Sequence, residues 1–304
     1  MTGPARWHHG PMVQRAQDGP QARVGIIGGS GTYKLRGATV RAAMRVHTPY
    51  GPPSGHLTVA EVAGRVVVFL PRHGAGHSLP PQQINYRANL WALKSLGVEA
   101  VISSSAVGGL RAGYGPETFV VPDQLIDRTW GRADTFFDGT VVEGTEAAGV
   151  QHLPAADPFC PGLRARLTAA LSDQQLPHAP AGTVVVINGP RFSTRAESAW
   201  YTAAGADIIS MTQYPEPVLA AELNMGFANL AYITDSDTGH DGSDPVTAEA
   251  VFARLKNAQP GILAVIDATV AAIGQDYVPP RLMDPTAVNR IMALPVDLAS
   301  AGSP

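Results

Sequence analysis

Phe227-Ala228-Asn229-Leu230-Ala231-Tyr232-Ile233-Thr234-Asp235-Ser236-Asp237 decides how this chain is read. The run from Phe227 to Ile233 reads as a buried strand. Two carboxylates follow at once, where the strand gives way to a loop. In an α/β fold that end of a strand is where ligands bind. Paired acids there are costly to bury unless something hydrogen-bonds them or shares a proton. A ligand with an N–H donor and a protonatable ring nitrogen suits both. Adenine, through its 6-amino group and N7, is such a ligand.

Outward from this strand, short apolar runs alternate with helix-like segments. Val24–Ile27, Val66–Leu70, Ala100–Ser104, Thr118–Val121, Thr183–Ile187 and Asp207–Ser210 read as further strands. Several are apolar throughout, as expected where both sheet faces are covered. Asn85–Leu96, Pro161–Leu171, Arg195–Ala204, Glu216–Asn224, Val246–Leu255 and Ile262–Ile273 read as helices. The alternation predicts one α/β domain, a mixed central β-sheet flanked by helices, over residues 22–298. Residues 1–21 read as a flexible tail and 299–304 as a frayed end. Trp130–Val150 lacks clear periodicity and reads as a surface excursion.

Composition narrows the function classes. The chain has 304 residues, 45% hydrophobic and 15% charged, which suits a soluble protein with a sizeable core. A net charge of -3 implies no nucleic-acid or anionic-membrane partner. Cys160 is the only cysteine, so no intrachain disulfide forms. No apolar run approaches the roughly 20 residues needed to span a bilayer. The first twenty residues lack an apolar signal core, and a cytoplasmic enzyme is expected.

Five more segments carry candidate chemistry. Gly28-Gly29-Ser30-Gly31 follows the first strand, and such a turn exposes backbone N–H groups able to hold an anion. It matches neither the dinucleotide fingerprint nor a P-loop, and alone it reads equally well as an ordinary turn. Pro71-Arg72-His73-Gly74 follows another strand, and Arg72 offers a planar fork of donors suited to phosphate. His73 and His77 have metal-pair spacing, but Gly74, Gly76 and Pro80 argue for a loop, and no metal is expected. Ser103-Ser104-Ser105-Ala106-Val107-Gly108-Gly109 brings hydroxyls and small residues to a third strand end. Asn188-Gly189-Pro190-Arg191-Phe192-Ser193 offers an aromatic for stacking on a planar ligand, against the commoner alternative that Phe192 packs in the core. Met211-Thr212 adds another hydroxyl at a strand end, and Glu216 on the next helix reads as a solvated residue, a cap or, if buried, a ribose contact. If the strands are parallel, these loops converge at one edge of the sheet.

Taken together, Val24 to Gly31, Arg72-His73-Gly74, Asn85-Tyr86-Arg87-Ala88-Asn89, Gly189 to Ser193 and Thr234 to Asp237 resemble the S-methyl-5′-thioadenosine phosphorylases, in the trimeric branch of the purine nucleoside phosphorylase superfamily. The resemblance runs from about Val24 to Leu255, with the motifs in order, and includes Asp127-Arg128-Thr129, Phe136 to Gly139 and Asp157 to Cys160. It implies phosphorolysis of a nucleoside by inorganic phosphate as co-substrate, with no cofactor, in a homotrimer. It implies phosphate donors at Ser30, Arg72, His73, Ser105, Ala106 through its backbone, and Thr212. Phe192 and Ser193 then line the base and Met211 the ribose. Asp235 faces N7 and the 6-amino group, supported by Asp237. Pro81, His152, Ala248 and Val251 line the 5′-alkylthio pocket, His152 reaching a neighbouring subunit's site.

Phosphorolysis makes sense of these residue types. An oxocarbenium-like sugar flanked by a held phosphate and a purine protonated at N7 needs an anion cradle and a general acid. An Asp235 protonated through burial beside Asp237 is that acid. An ionised carboxylate accepts from a 6-amino group but repels a 6-oxo group, which favours adenine-type substrates. Ser236, Thr238-Gly239, Gln213-Tyr214 and Ala75-Gly76 depart from the resemblance. A 6-oxopurine nucleoside phosphorylase stays open as an alternative, as does a non-catalytic nucleoside- or phosphate-binding protein.

Overall fold

The computed structural model describes residues 23–30, 38–139, 148–294 and 297–300. The expected 1–21 tail, Gly31, most of 299–304 and part of the 130–150 excursion lie outside the described residues. Twelve strands are β1 Val24–Gly28, β2 Thr39–His47, β3 Leu57–Val62, β4 Arg65–Pro71, β5 Ala100–Gly109, β6 Phe119–Val120, β7 Gln124–Arg128, β8 His178–Ala179, β9 Thr183–Ile187, β10 Ile208–Ser210, β11 Gly226–Asp235 and β12 Asp297–Ser300. The helices are α1 Tyr86–Ser95, α2 Pro161–Asp173, α3 Arg195–Ala203, α4 Glu216–Glu222, α5 Ala248–Ala272 and α6 Pro285–Met292.

One mixed sheet runs in the order β12-β2-β3-β4-β1-β5-β10-β9-β7, with β11 on the other edge of β5 and β6 and β8 beyond it. The expected single-domain mixed α/β architecture is what forms. Strand β5 organises it. Residues from Ala100 to Gly108 pair in parallel with β11 along one edge. The opposite edge is divided. Strand β1 pairs in parallel only as far as Ser103, and β10 enters antiparallel opposite Gly108 and Gly109. Neither covers Ser104 to Val107, so the C-terminal ends of β1 and β10 point at one gap in the sheet.

The pleat sorts side chains between two cores, because successive residues face opposite sides. Val101 and Val107 join a core with Trp91 of α1, Leu219 of α4 and Val288 of α6. Ala100 and Ile102 join the other with Leu163 of α2 and Ile266 of α5. Side chains also fix the helix ends: Asn85 accepts from Ala88 N at the start of α1, and Thr194 and Glu197 form a reciprocal capping box at α3.

Two expectations need correction. The predicted helices 246–255 and 262–273 are one helix, α5, which passes through Pro260. Proline removes an intrahelical bond and crowds the preceding turn. Leu255, Ile262, Val265, Ile266 and Val270 nevertheless keep one stripe in phase and buried, so packing overrides the local cost. Ala299 and Ser300, expected in a frayed end, close β12, opposite Arg45 and Met44 of β2. Strands β2 and β3 and helix α6 were not legible. Strand β2 is largely exposed, so it carries little apolar signal. Among the described residues no helix is long and apolar enough to cross a membrane.

Candidate active site

The gap beside β5 gathers the polar loops. Arg72, the residue after β4, is fully buried. Its Nε and Nη2 donate to the two Glu216 carboxylate oxygens at 2.6 and 2.9 Å. Nη1 donates to the Ser104 carbonyl at 2.8 Å. These three bonds engage three of the five guanidinium N–H groups, leaving two outside these bonds. Glu216, left open from sequence as solvated, a cap or a ribose contact, is the buried carboxylate that orients Arg72. Gly29 makes the approach possible: a Cβ there would lie 2.2 Å from the Ser104 carbonyl oxygen and 2.8 Å from Arg72 Nη1. Its own N–H donates to Ser104 Oγ at 3.3 Å. Ser30 is the next residue, half-buried at the mouth of the gap.

His73 is buried, with Nδ1 2.9 Å from the Leu79 carbonyl. A carbonyl only accepts, so Nδ1 carries the proton and Nε2 is an acceptor. Burial, with the adjacent Arg72 charge, pushes its pKa down to about 3 and keeps the ring neutral. His77 stacks on it face to face, centroids 4.1 Å apart. Phe252 of α5 meets His77 edge-on at 5.6 Å.

Ser105 departs from its expected role. Its Oγ donates to Asn229 Oδ1 at 2.9 Å and accepts from Gln213 Nε2 at 3.0 Å. Asn229 Nδ2 continues the chain to Ser103 Oγ at 2.6 Å. The Ser105 proton is therefore directed into the sheet, away from the donor role assigned to it. Ala106 lies in the uncovered stretch of the β5 edge, and Thr212 is buried just after β10.

At the far end of β5 sits the acidic pair. Asp235 Oδ1 accepts from Asp237 N at 2.9 Å, and Oδ2 accepts from Thr234 Oγ1 at 2.7 Å. Ser198 of α3 donates to Asp237 Oδ2. Burial raises the Asp235 pKa to about 6, against the lowering effect of its hydrogen bonds. Burial raises that of Asp237 as well. Asp235 pairs with Gly108, three residues along β5 from Ser105. That places the acids at the edge of the uncovered stretch, about 13 Å along β5 from the Ser104 carbonyl that Arg72 engages, at roughly 3.3 Å per residue.

The base-side loop is more open. Phe192 is 39% exposed, so it is free to stack rather than buried in a core. Ser193 Oγ is buried with no partner among the described residues. Met211 and Pro81 both pack against Gly189. His152 is exposed on the surface, outside this cluster. The two α5 residues expected at the 5′ pocket lie in different surroundings. Ala248 is exposed at the helix start, and Val251 packs on the second core. Phe252 is the α5 side chain that faces His77. Nothing in the local sequence marks Asn229, Ser198 or Arg132, whose partners are far along the chain.

This geometry has close relatives. Residues 23–271 match the phosphorylase superfamily. A purine nucleoside phosphorylase of Streptomyces coelicolor is 46% identical over 258 residues, covering 84% of this chain and 91% of that protein. An S-methyl-5′-thioadenosine phosphorylase of Mycolicibacterium smegmatis is 47% identical over 251 residues, 82% of this chain and 91% of its own length. Among solved structures, a methylthioadenosine phosphorylase of Schistosoma mansoni in complex with adenine superposes with a TM-score of 0.77 at 35% identity, covering 84% of this chain and 93% of that one. With a family match over residues 23–271 and relatives 46–47% identical over most of their length, the chain belongs to the phosphorylase superfamily.

Proposed function

We propose that the protein cleaves S-methyl-5′-thioadenosine with inorganic phosphate, giving adenine and 5-methylthioribose 1-phosphate. It is then a pentosyltransferase. One observation carries the reading: a buried Arg72, bonded to the Ser104 carbonyl and with two N–H groups outside its protein bonds, lies about 13 Å along β5 from the register position of an aspartate whose pKa is raised to about 6. A nucleoside set between them has its sugar over the gap and its base at the acids.

Phosphate held by Arg72, the Ala106 backbone, Ser30 and Thr212 sits below C1′. The C1′–N9 bond breaks with its electron pair going to the purine, and a phosphate oxygen bonds to C1′. Protonated Asp235 gives its proton to N7 as charge builds on the base. Neutral His73 offers Nε2 as an acceptor for a hydroxyl of phosphate or sugar. Pro81 and Phe252 are assigned to the 5′ side of the sugar, where apolar groups favour methylthio over hydroxyl. No metal or organic cofactor enters this scheme. His152, exposed and outside the cluster, serves a neighbouring subunit in a homotrimer, which sedimentation would test. A cytoplasmic setting fits the same reading.

The Streptomyces coelicolor relative favours a second reading, a 6-oxopurine nucleoside phosphorylase. A phosphate-dependent ultraviolet assay with methylthioadenosine, adenosine, inosine and guanosine separates the two. Methylthioadenosine is expected to show the highest kcat/KM. Preference for inosine would replace the proposal with the second reading, and tight binding without turnover would sink both.

A further inference from the structure

Arg132 lies in the 130–139 segment, outside every strand and helix. Its guanidinium engages three backbone segments of the candidate site through carbonyl oxygens. Nη2 donates to Asn188 O at 3.1 Å and to Met211 O at 2.8 Å. Nη1 donates to Tyr214 O. Its Cζ lies 5.2 Å from the centroid of Tyr86, whose hydroxyl donates to the Pro81 carbonyl at 2.9 Å. Asn188 leads into the loop with Phe192 and Ser193. Met211 precedes Thr212. Tyr214 stands two residues before Glu216, which holds Arg72.

We infer that Arg132 is a positioning residue for the reaction: one planar cation sets the base loop, the phosphate hydroxyl and the Arg72–Glu216 pair in a common frame. The inference rests on the proposed function for its reaction, though not for its phosphate readout. The physical need is clear. Carbonyls at the ends of β9 and β10 leave their ladders here, and a buried acceptor without a donor is costly. A guanidinium supplies several coplanar donors at once, which an ammonium on a flexible stem does not. The segment carrying Arg132 is itself anchored. Thr135 Oγ1 and Phe136 N both donate to Glu222 of α4 at 2.7 Å, and Arg87 pairs with Asp138 at 2.7 Å. A fixed donor set is what holds loops to the fraction of an ångström that catalysis needs.

The test combines Arg132→Met, Arg132→Lys and Arg132→Gly. Steady-state kinetics with methylthioadenosine and phosphate are expected to lose about 10²-fold in kcat/KM for each substrate, with kcat carrying most of the loss. Inorganic phosphate alone, titrated by calorimetry, is expected to bind more weakly to all three. Arg132→Lys is expected to stay impaired, because charge without the fork does not span three carbonyls. Guanidinium ion, at concentrations that leave the wild type folded, is expected to restore part of the Arg132→Gly turnover, which a purely structural role does not explain. Wild-type values in Arg132→Lys, or Arg132→Met within about threefold of wild type for both substrates, would overturn the inference. Should the Met and Gly variants fail to fold, the charged Lys variant decides. Should the wild type bind phosphate but cleave no nucleoside, the proposed function falls, and the phosphate titrations still decide the role of Arg132.

Discussion

At the residue scale the Asp235 carboxyl matters most, and its environment makes two predictions. Because its pKa is raised to about 6, the proton-bearing form is lost as pH rises through that value. Cleavage of methylthioadenosine is expected to fall on that side, with a break near pH 6 in the kcat/KM profile, which reports the free enzyme. Asp235→Asn is expected to remove the break, lower turnover by about 10²–10⁴-fold and shift preference toward inosine. An unchanged substrate ratio would show that this side chain does not read position 6 of the base. The second prediction concerns Ser105. Its hydroxyl completes the buried run from Gln213 to Asn229, so Ser105→Ala leaves two buried amides short of a partner. Stability is expected to drop by about 1–3 kcal/mol. The KM for phosphate is expected to stay nearly unchanged. A large rise in that KM without loss of thermal stability would restore Ser105 as a phosphate donor.

At the element scale the site depends on how strand ends meet. Arg72 follows β4 and Glu216 opens α4, and both side chains are fully buried. Removing one partner of such a pair leaves an uncompensated charge, typically a loss of about 3–5 kcal/mol. Glu216→Ala is therefore expected to lower the thermal midpoint and to raise the KM for phosphate, since Arg72 loses its orientation. A variant as stable as wild type would show that the pair contributes little. Strand β5 makes a further demand. A Cβ on Gly108 would stand 2.9 Å from Asp235 Oδ1 and 3.0 Å from Ile209 Cγ2. Gly108→Ala is expected to displace both the acid and β10, costing turnover more than folding. Circular dichroism beside kinetics separates these effects.

At the scale of the whole molecule, linkage ties the site to stability. A carboxyl with a folded-state pKa above its unfolded value binds protons more tightly when folded. Its favourable contribution is full at low pH and is lost as pH rises from about 4 through about 6. A shift of about two units corresponds to roughly 3 kcal/mol. The midpoint difference between wild type and Asp235→Asn is expected to change in that sense across the window, read by thermal melts at stepped pH. A flat difference would show that Asp235 is not perturbed in the folded protein. The long apolar runs at β1, β5 and β11 were legible from sequence because each is buried on both faces and carries its own signal. So were the loops that follow them, because glycines, hydroxyls and acids cluster only a few residues from strand ends. The partnership of Arg72 with Glu216, 144 residues apart, left no such local mark. Nor did the inward turn of the Ser105 proton, or the contact of Phe252 with His77. By itself the sequence determined which elements form and which residues bear charge or hydroxyls, since propensity and hydrophobic period act over a few residues. Only the tertiary structure decided which donors remain for a ligand, since hydrogen-bond capacity is divided among groups that meet through space.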